Sequence, residues 1–135
     1  MEEKLYPSIG TLRYSNEGYR LVVEVDQGIV DFYRSLIPKW MHVMGSRYRA
    51  HITVVREEKE EPVCKEHWNK YQGEEIEFFY SPVIHQGKVY YWLNCFCKRL
   101  EDIRLELGLP VISQYVIPPD GFSKVFHCTI GNMKI

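Results

Sequence analysis

Apolar and polar positions along this chain change period several times, and the changes mark out its elements. Residues 19–25 (YRLVVEV) form a β-branched, apolar run that predicts a largely buried strand. Asp26 then stands where a helix N-cap belongs, and Ile29, Val30, Tyr33, Leu36 and Ile37 recur at helical spacing. Pro38 ends or kinks that helix. A looser stretch runs through Gly45, and residues 49–55 (RAHITVV) predict a second strand. Residues 75–83 and 89–97 read as a hairpin turning near His85-Gln86-Gly87. Residues 98–107 predict a helix with Leu100, Ile103 and Leu107 on one face, Gly108 at the C′ position and Pro110 beyond it. The irregular segment Pro118-Pro119-Asp120-Gly121 gives way to a last strand at 124–130 (KVFHCTI).

The two halves run in the same order: strand, helix, connection, strand. That repetition predicts an α+β fold of two lobes related by a pseudo-twofold axis, with antiparallel strands and flanking helices around a central cleft. No linker or low-complexity segment separates the halves, so residues 1–135 are expected to form one domain, with approximate lobes 1–72 and 73–135.

Each half ends in the same short pattern, His51-Ile52-Thr53-Val54 and His127-Cys128-Thr129-Ile130. In an extended strand, residues i and i+2 point to one side. His51 and Thr53 therefore project together, as do His127 and Thr129, while Ile52, Val54, Cys128 and Ile130 face the other way. If the two strands adjoin, two imidazoles and two hydroxyls converge. Phosphodiester cleavage needs that set: one imidazole removes a proton from the attacking oxygen, the other protonates the leaving oxygen, and the hydroxyls donate to the non-bridging oxygens. A lone His-x-Thr in a strand is ordinarily a polar pair on a half-exposed face. Two copies at equivalent places, using two of the chain's three threonines, point to a site instead. The remaining histidines lack the threonine: His42, His67 and His85 are expected on the surface, in packing and in a turn.

The paired motifs resemble the H-x-[S/T]-apolar motifs of the 2H phosphoesterase superfamily, and the repeated element order extends the resemblance over nearly the whole chain. That superfamily includes RNA 2′,5′-ligase-like enzymes, cyclic nucleotide phosphodiesterases, and viral and phage members. The resemblance implies a metal-independent phosphodiesterase with no cofactor. Its substrate would be a nucleotide carrying a 2′,3′-cyclic phosphate, a 2′,5′ linkage or a cyclic oligonucleotide signal. His51 and His127 would be acid and base, in an order the motif leaves open, and Thr53 and Thr129 would bind phosphate. Two other readings stand beside it: a nucleotide- or RNA-end-binding module without catalysis, and a metal-dependent hydrolase built on the histidines and a cysteine.

Other residues are candidates of position or type. Arg49, two before His51, shares its face and suits phosphate. Tyr48, Tyr115, Trp40 and Phe126 are candidates for base stacking. Trp92 and Tyr90 read as packing residues, Lys124 as a surface charge, and Glu57-Glu58-Lys59-Glu60-Glu61 as a solvated segment without a site role. A formal net charge of −1, from 17 basic and 18 acidic residues, argues against long duplex nucleic acid as a partner and leaves room for a small nucleotide or short oligonucleotide. The acidic start Met1-Glu2-Glu3-Lys4 has no apolar leader, and no apolar run suggests a membrane partner, so a cytoplasmic protein is expected (host cytoplasm if viral). Cys64, Cys95, Cys97 and Cys128 are expected as reduced structural thiols, because C-x-C in a strand is a poor zinc pattern.

Overall fold

The computed structural model describes residues 4–133; Met1 to Glu3 of the acidic start, with Lys134 and Ile135, lie outside the described residues. The strands are β1 (Tyr6–Ser15), β2 (Arg20–Glu24), β3 (His51–Val55), β4 (Glu75–Gln86), β5 (Tyr90–Phe96) and β6 (Phe126–Asn132). Helices α1 (Gln27–Ser35) and α2 (Lys98–Glu106) follow β2 and β5. The fold is α+β. All six strands pair antiparallel and close into one barrel in the order β1-β2-β3-β6-β5-β4. No helix of the described residues is long and apolar enough to cross a membrane.

The periodic segments form where the sequence places them, and the main addition is β1. Its composition hides it: Pro7 and Gly10 interrupt it, and its burial does not alternate cleanly. Gly10 is required by close approach, since a Cβ there would meet the Glu24 carbonyl oxygen at 2.7 Å. With β1 counted, the chain reads β-β-α-β twice, a stricter repeat than the sequence pattern suggests.

One face of β3 and β6 is sealed by the core. Ile52, Val54, Cys128 and Ile130 are at most 3% exposed and belong to one apolar cluster with Val30 and Tyr33 of α1 and Leu100 and Ile103 of α2. The Asp26 side chain caps α1 by accepting from the Gly28 N–H at 2.9 Å. Gln27 Oε1 accepts from the Ala50 N–H at 2.9 Å, tying the start of α1 to the start of β3. α2 ends at Gly108, whose φ of +80° suits a residue without a Cβ. Cys95, Cys97 and Cys128 are buried, and all four cysteines are free thiols.

The acidic segment 57–61 is not wholly solvated, which corrects the sequence expectation. Glu60 reaches inward to the guanidinium of Arg104, itself fully buried on α2, at 2.8 Å. Arg104 also donates to the carbonyls of Val54 at 2.7 Å and Pro110 at 2.9 Å. A charged run hides this because only one of its members turns in, and periodicity cannot say which. Burial alone would raise the Glu60 carboxyl, but hydrogen bonds from Arg104 and the Arg56 amide, with both their charges, hold it below the ordinary carboxylate value. Removing one partner of such a pair strands the other in the core. Arg104→Met should therefore lower stability by about 3–5 kcal/mol in urea titrations. A loss below 1 kcal/mol would mean that the guanidinium is not needed where it lies.

Candidate functional site

β3 and β6 are neighbours, registered at Ile52↔Cys128. Antiparallel pairing about that pair sets His51 opposite Thr129 and Thr53 opposite His127. Both histidines and both threonines are half-buried on the open face, while their chain neighbours belong to the core. The two imidazoles lie on a diagonal, so their Cα atoms stand about 7–8 Å apart. The ladders extend this into two cross-strand rows. One runs Glu24, His51, Thr129, Trp92, His85; the other runs Val22, Thr53, His127, Asn94.

The four motif side chains line two adjoining cavities, not the single cleft that spacing alone suggests. One, of about 520 Å³, takes in His51, Thr129, Arg47 and Tyr48. The other, of about 440 Å³, takes in Thr53, His127, Arg56, Trp92 and Tyr115. Thr129 and Tyr90 belong to both. The wall of the larger cavity depends on Met44, whose N–H and carbonyl exchange hydrogen bonds with Asn132 at 2.8 and 2.9 Å. Gly131 permits that approach, since a Cβ there would meet Val43 Cγ1 at 2.5 Å.

His51 Nδ1–H donates to the Arg49 carbonyl at 2.7 Å, which leaves Nε2 available to a ligand. Burial lowers its proton affinity and Arg20 adds to that; the Arg49 hydrogen bond and Glu24 act in the opposite sense, and the net shift is downward. The His127 ring stacks on Trp92, with centroids 4.8 Å apart and planes at 22°. Burial, then Arg56, then His85 push its pKa down to about 4. On the far side of Trp92 lies His85, at 6.0 Å and 20°. Asn94 binds this stack together. Its Oδ1 accepts from the Trp92 indole N–H at 3.2 Å, so its amide nitrogen is the atom facing His85 Nε2 at 3.1 Å.

Several expectations change here. Trp92 and Tyr90, read from the sequence as packing residues, line the cavities. His85, expected in a turn, sits within β4, because that strand runs on to Gln86. No sequence pattern marks Arg56 or Arg47, although Arg56 directly follows β3 and its guanidinium lies over the Tyr115 ring at 5.4 Å. Of the stacking candidates, Tyr48 and Tyr115 line the cavities, Phe126 is buried at 4% exposure, and Trp40 lines neither cavity. The Arg49 side chain is 64% exposed and 3.9 Å from Glu24. It borders a smaller recess shared by His51 and Thr129. Lys124 pairs with Glu101 at 3.7 Å, away from the motif. Among the described residues, no three His, Cys, Asp or Glu side chains gather as a metal-ligand group. Against protein-family models, curated proteins and solved structures, the chain finds no match.

The depressed His127 has a consequence for stability. As pH falls below the ordinary imidazole value of 6.5, the unfolded chain takes up this proton before the folded protein does. Its contribution to stability is complete above that value and is lost as pH drops toward about 4. Urea midpoints should therefore fall less between pH 7 and 4.5 in His127→Asn than in the parent protein. Equal losses would show that His127 titrates normally in the folded state.

Proposed function

We propose that this chain is a metal-independent phosphodiesterase of the 2H type, acting on a nucleotide phosphodiester with His127 as general base and His51 as general acid. The observation that carries the reading is the β3–β6 register. It sets each histidine across from the other motif's threonine and turns all four toward the open face. A phosphate over this seam has an imidazole at each end of the diagonal and two hydroxyls for its non-bridging oxygens. The β-β-α-β repeat, with its two histidine strands adjoining, supports reading the halves as pseudo-twofold-related lobes that each supply one motif.

The division of roles follows from burial and local charge. His127, buried and beside Arg56 and His85, is held neutral and suits removal of a proton from the attacking hydroxyl or water. The pKa of His51 is lowered by burial too, but its Nδ1–H on a carbonyl and the facing Glu24 act against that burial and favour the protonated ring that a general acid requires. Oxygen–phosphorus bond formation then proceeds as His127 takes the proton. Cleavage of the opposite phosphorus–oxygen bond proceeds as His51 gives one to the leaving alkoxide. Arg56, Thr53 and Thr129 stabilise the charge gathering on the non-bridging oxygens.

His51→Ala and His127→Ala should each lower turnover by about 10²–10⁴-fold, and Thr53→Val or Thr129→Val by about 10²-fold. Activity should survive excess EDTA. With a nucleoside p-nitrophenyl phosphodiester, whose leaving group needs no protonation, His51→Ala should recover most of its rate and His127→Ala should not; the opposite pattern would exchange the two roles. For the free enzyme, kcat/KM requires neutral His127 and charged His51. Its profile should therefore peak between about 4 and the ordinary imidazole value of 6.5. Bound phosphate favours protonation of both rings and should move the kcat optimum upward. Specific nucleotide binding that persists in both histidine variants, with no turnover by the parent protein, would replace the enzyme by a binding module.

A further inference from the structure

Resting on the phosphodiesterase reading above, we infer that the substrate is a diester carrying a nucleoside on each side of its phosphate, one base seated in each of the two cavities.

The two cavities, at about 520 and 440 Å³, are each of a size that takes a small-molecule fragment. They meet at Thr129, on the seam where the phosphate is proposed to sit, so an occupant of one is joined to an occupant of the other through that point. Each has its own aromatic and cationic equipment. On the His127 side, both faces of Trp92 are taken by His127 and His85, so the ring offered to a base is Tyr115, with Arg56 lying over it. On the His51 side, Tyr48 is flanked by the guanidinium groups of Arg47 at 5.2 Å and Arg20 at 5.9 Å. Aromatic faces stack on any base, and adjacent guanidinium groups hold the intervening backbone.

Carboxylates are absent from both linings among the described residues. Glu24, next to His51, is engaged with Arg13 at 3.0 Å and lies 3.9 Å from Arg49. A nucleoside 2′,3′-cyclic phosphate has its phosphate fused to its only sugar, so it engages one cavity and leaves the other's ring and guanidinium unused. A diester between two nucleosides engages both. Hydrolysis then consumes one water: its oxygen bonds to phosphorus and one phosphorus–oxygen bond breaks, giving a nucleoside monophosphate and a nucleoside from a linear diester, or a linear dinucleotide with a terminal phosphate from a cyclic one.

The test compares adenylyl-2′,5′-adenosine, adenylyl-3′,5′-adenosine, cyclic di-AMP and adenosine 2′,3′-cyclic phosphate, with products resolved by mass spectrometry. At least one two-nucleoside diester should exceed the cyclic mononucleotide in kcat/KM by about tenfold or more. Which one does so reports the linkage. Tyr48→Ala and Tyr115→Ala should each raise KM for that diester on the order of 10-fold with little change in kcat, as expected for loss of one stacking contact. Both side chains are about half exposed, and circular dichroism would verify that the fold is kept. Preference for the cyclic mononucleotide, with cleavage abolished in His51→Ala, would overturn the two-nucleoside assignment and leave the phosphodiesterase reading intact. If no diester is cleaved, the phosphodiesterase reading falls. Intrinsic tryptophan fluorescence titrations with adenylyl-2′,5′-adenosine and AMP then decide the binding claim. Tighter binding of the dinucleotide, weakened by both tyrosine variants, supports it; equal affinities overturn it.

Discussion

The site exists because a strand has only two faces and one of them at the β3–β6 seam is committed to the core. Ile52 and Cys128, paired and almost wholly buried, belong to the apolar cluster that seats both helices. Shifting either strand by one residue would expose those side chains and drive an imidazole and a hydroxyl into the core. The penalty for burying unpartnered polar groups is therefore what keeps His51, Thr53, His127 and Thr129 on the open face. The four motif side chains are positioned by core residues that do not face the site.

Arg104 extends the same logic to the loops. Its guanidinium links α2 to the end of β3, to Pro110 and to Glu60, so the 54–60 and 104–110 segments share one buried charge. Glu60 in turn accepts from the Arg56 amide at 3.1 Å. Arg56 is thus fixed at its backbone by the ion pair, while its side chain lies over Tyr115. One core interaction thereby sets the reach of a cation in the smaller cavity and restrains the chain that leaves the seam.

Much of this was legible in the amino-acid sequence, for identifiable reasons. α1, α2, the hairpin and the two motif strands announce themselves through period, caps and breakers such as Asp26, Pro38 and Gly108. The motif side chains follow from a two-residue spacing that any strand must obey. β1 was not legible, because Gly10 and Pro7 serve close approach and pairing instead of displaying an alternation. Trp92 and Tyr90 have the composition of core residues, and only their register against Thr129 and Asn132 brings them to the site. Glu60 stands in a run of similar charges from which no pattern singles it out. Barrel closure was also invisible, since it joins β1 to β4 and β3 to β6 across long separations.

Closure also governs how this protein meets other chains. Among the described residues, every strand of the barrel has a neighbour on both sides, so none presents a wholly open edge of the kind that invites addition of a foreign strand. The joins are nevertheless unequal. β3 and β6 share one registered pair, while every other adjoining pair of strands shares four or more. The seam is thus the shortest suture in the wall, and the candidate site straddles it. A ligand gripped from both strands there would act as a staple, closing the join that the backbone leaves thin.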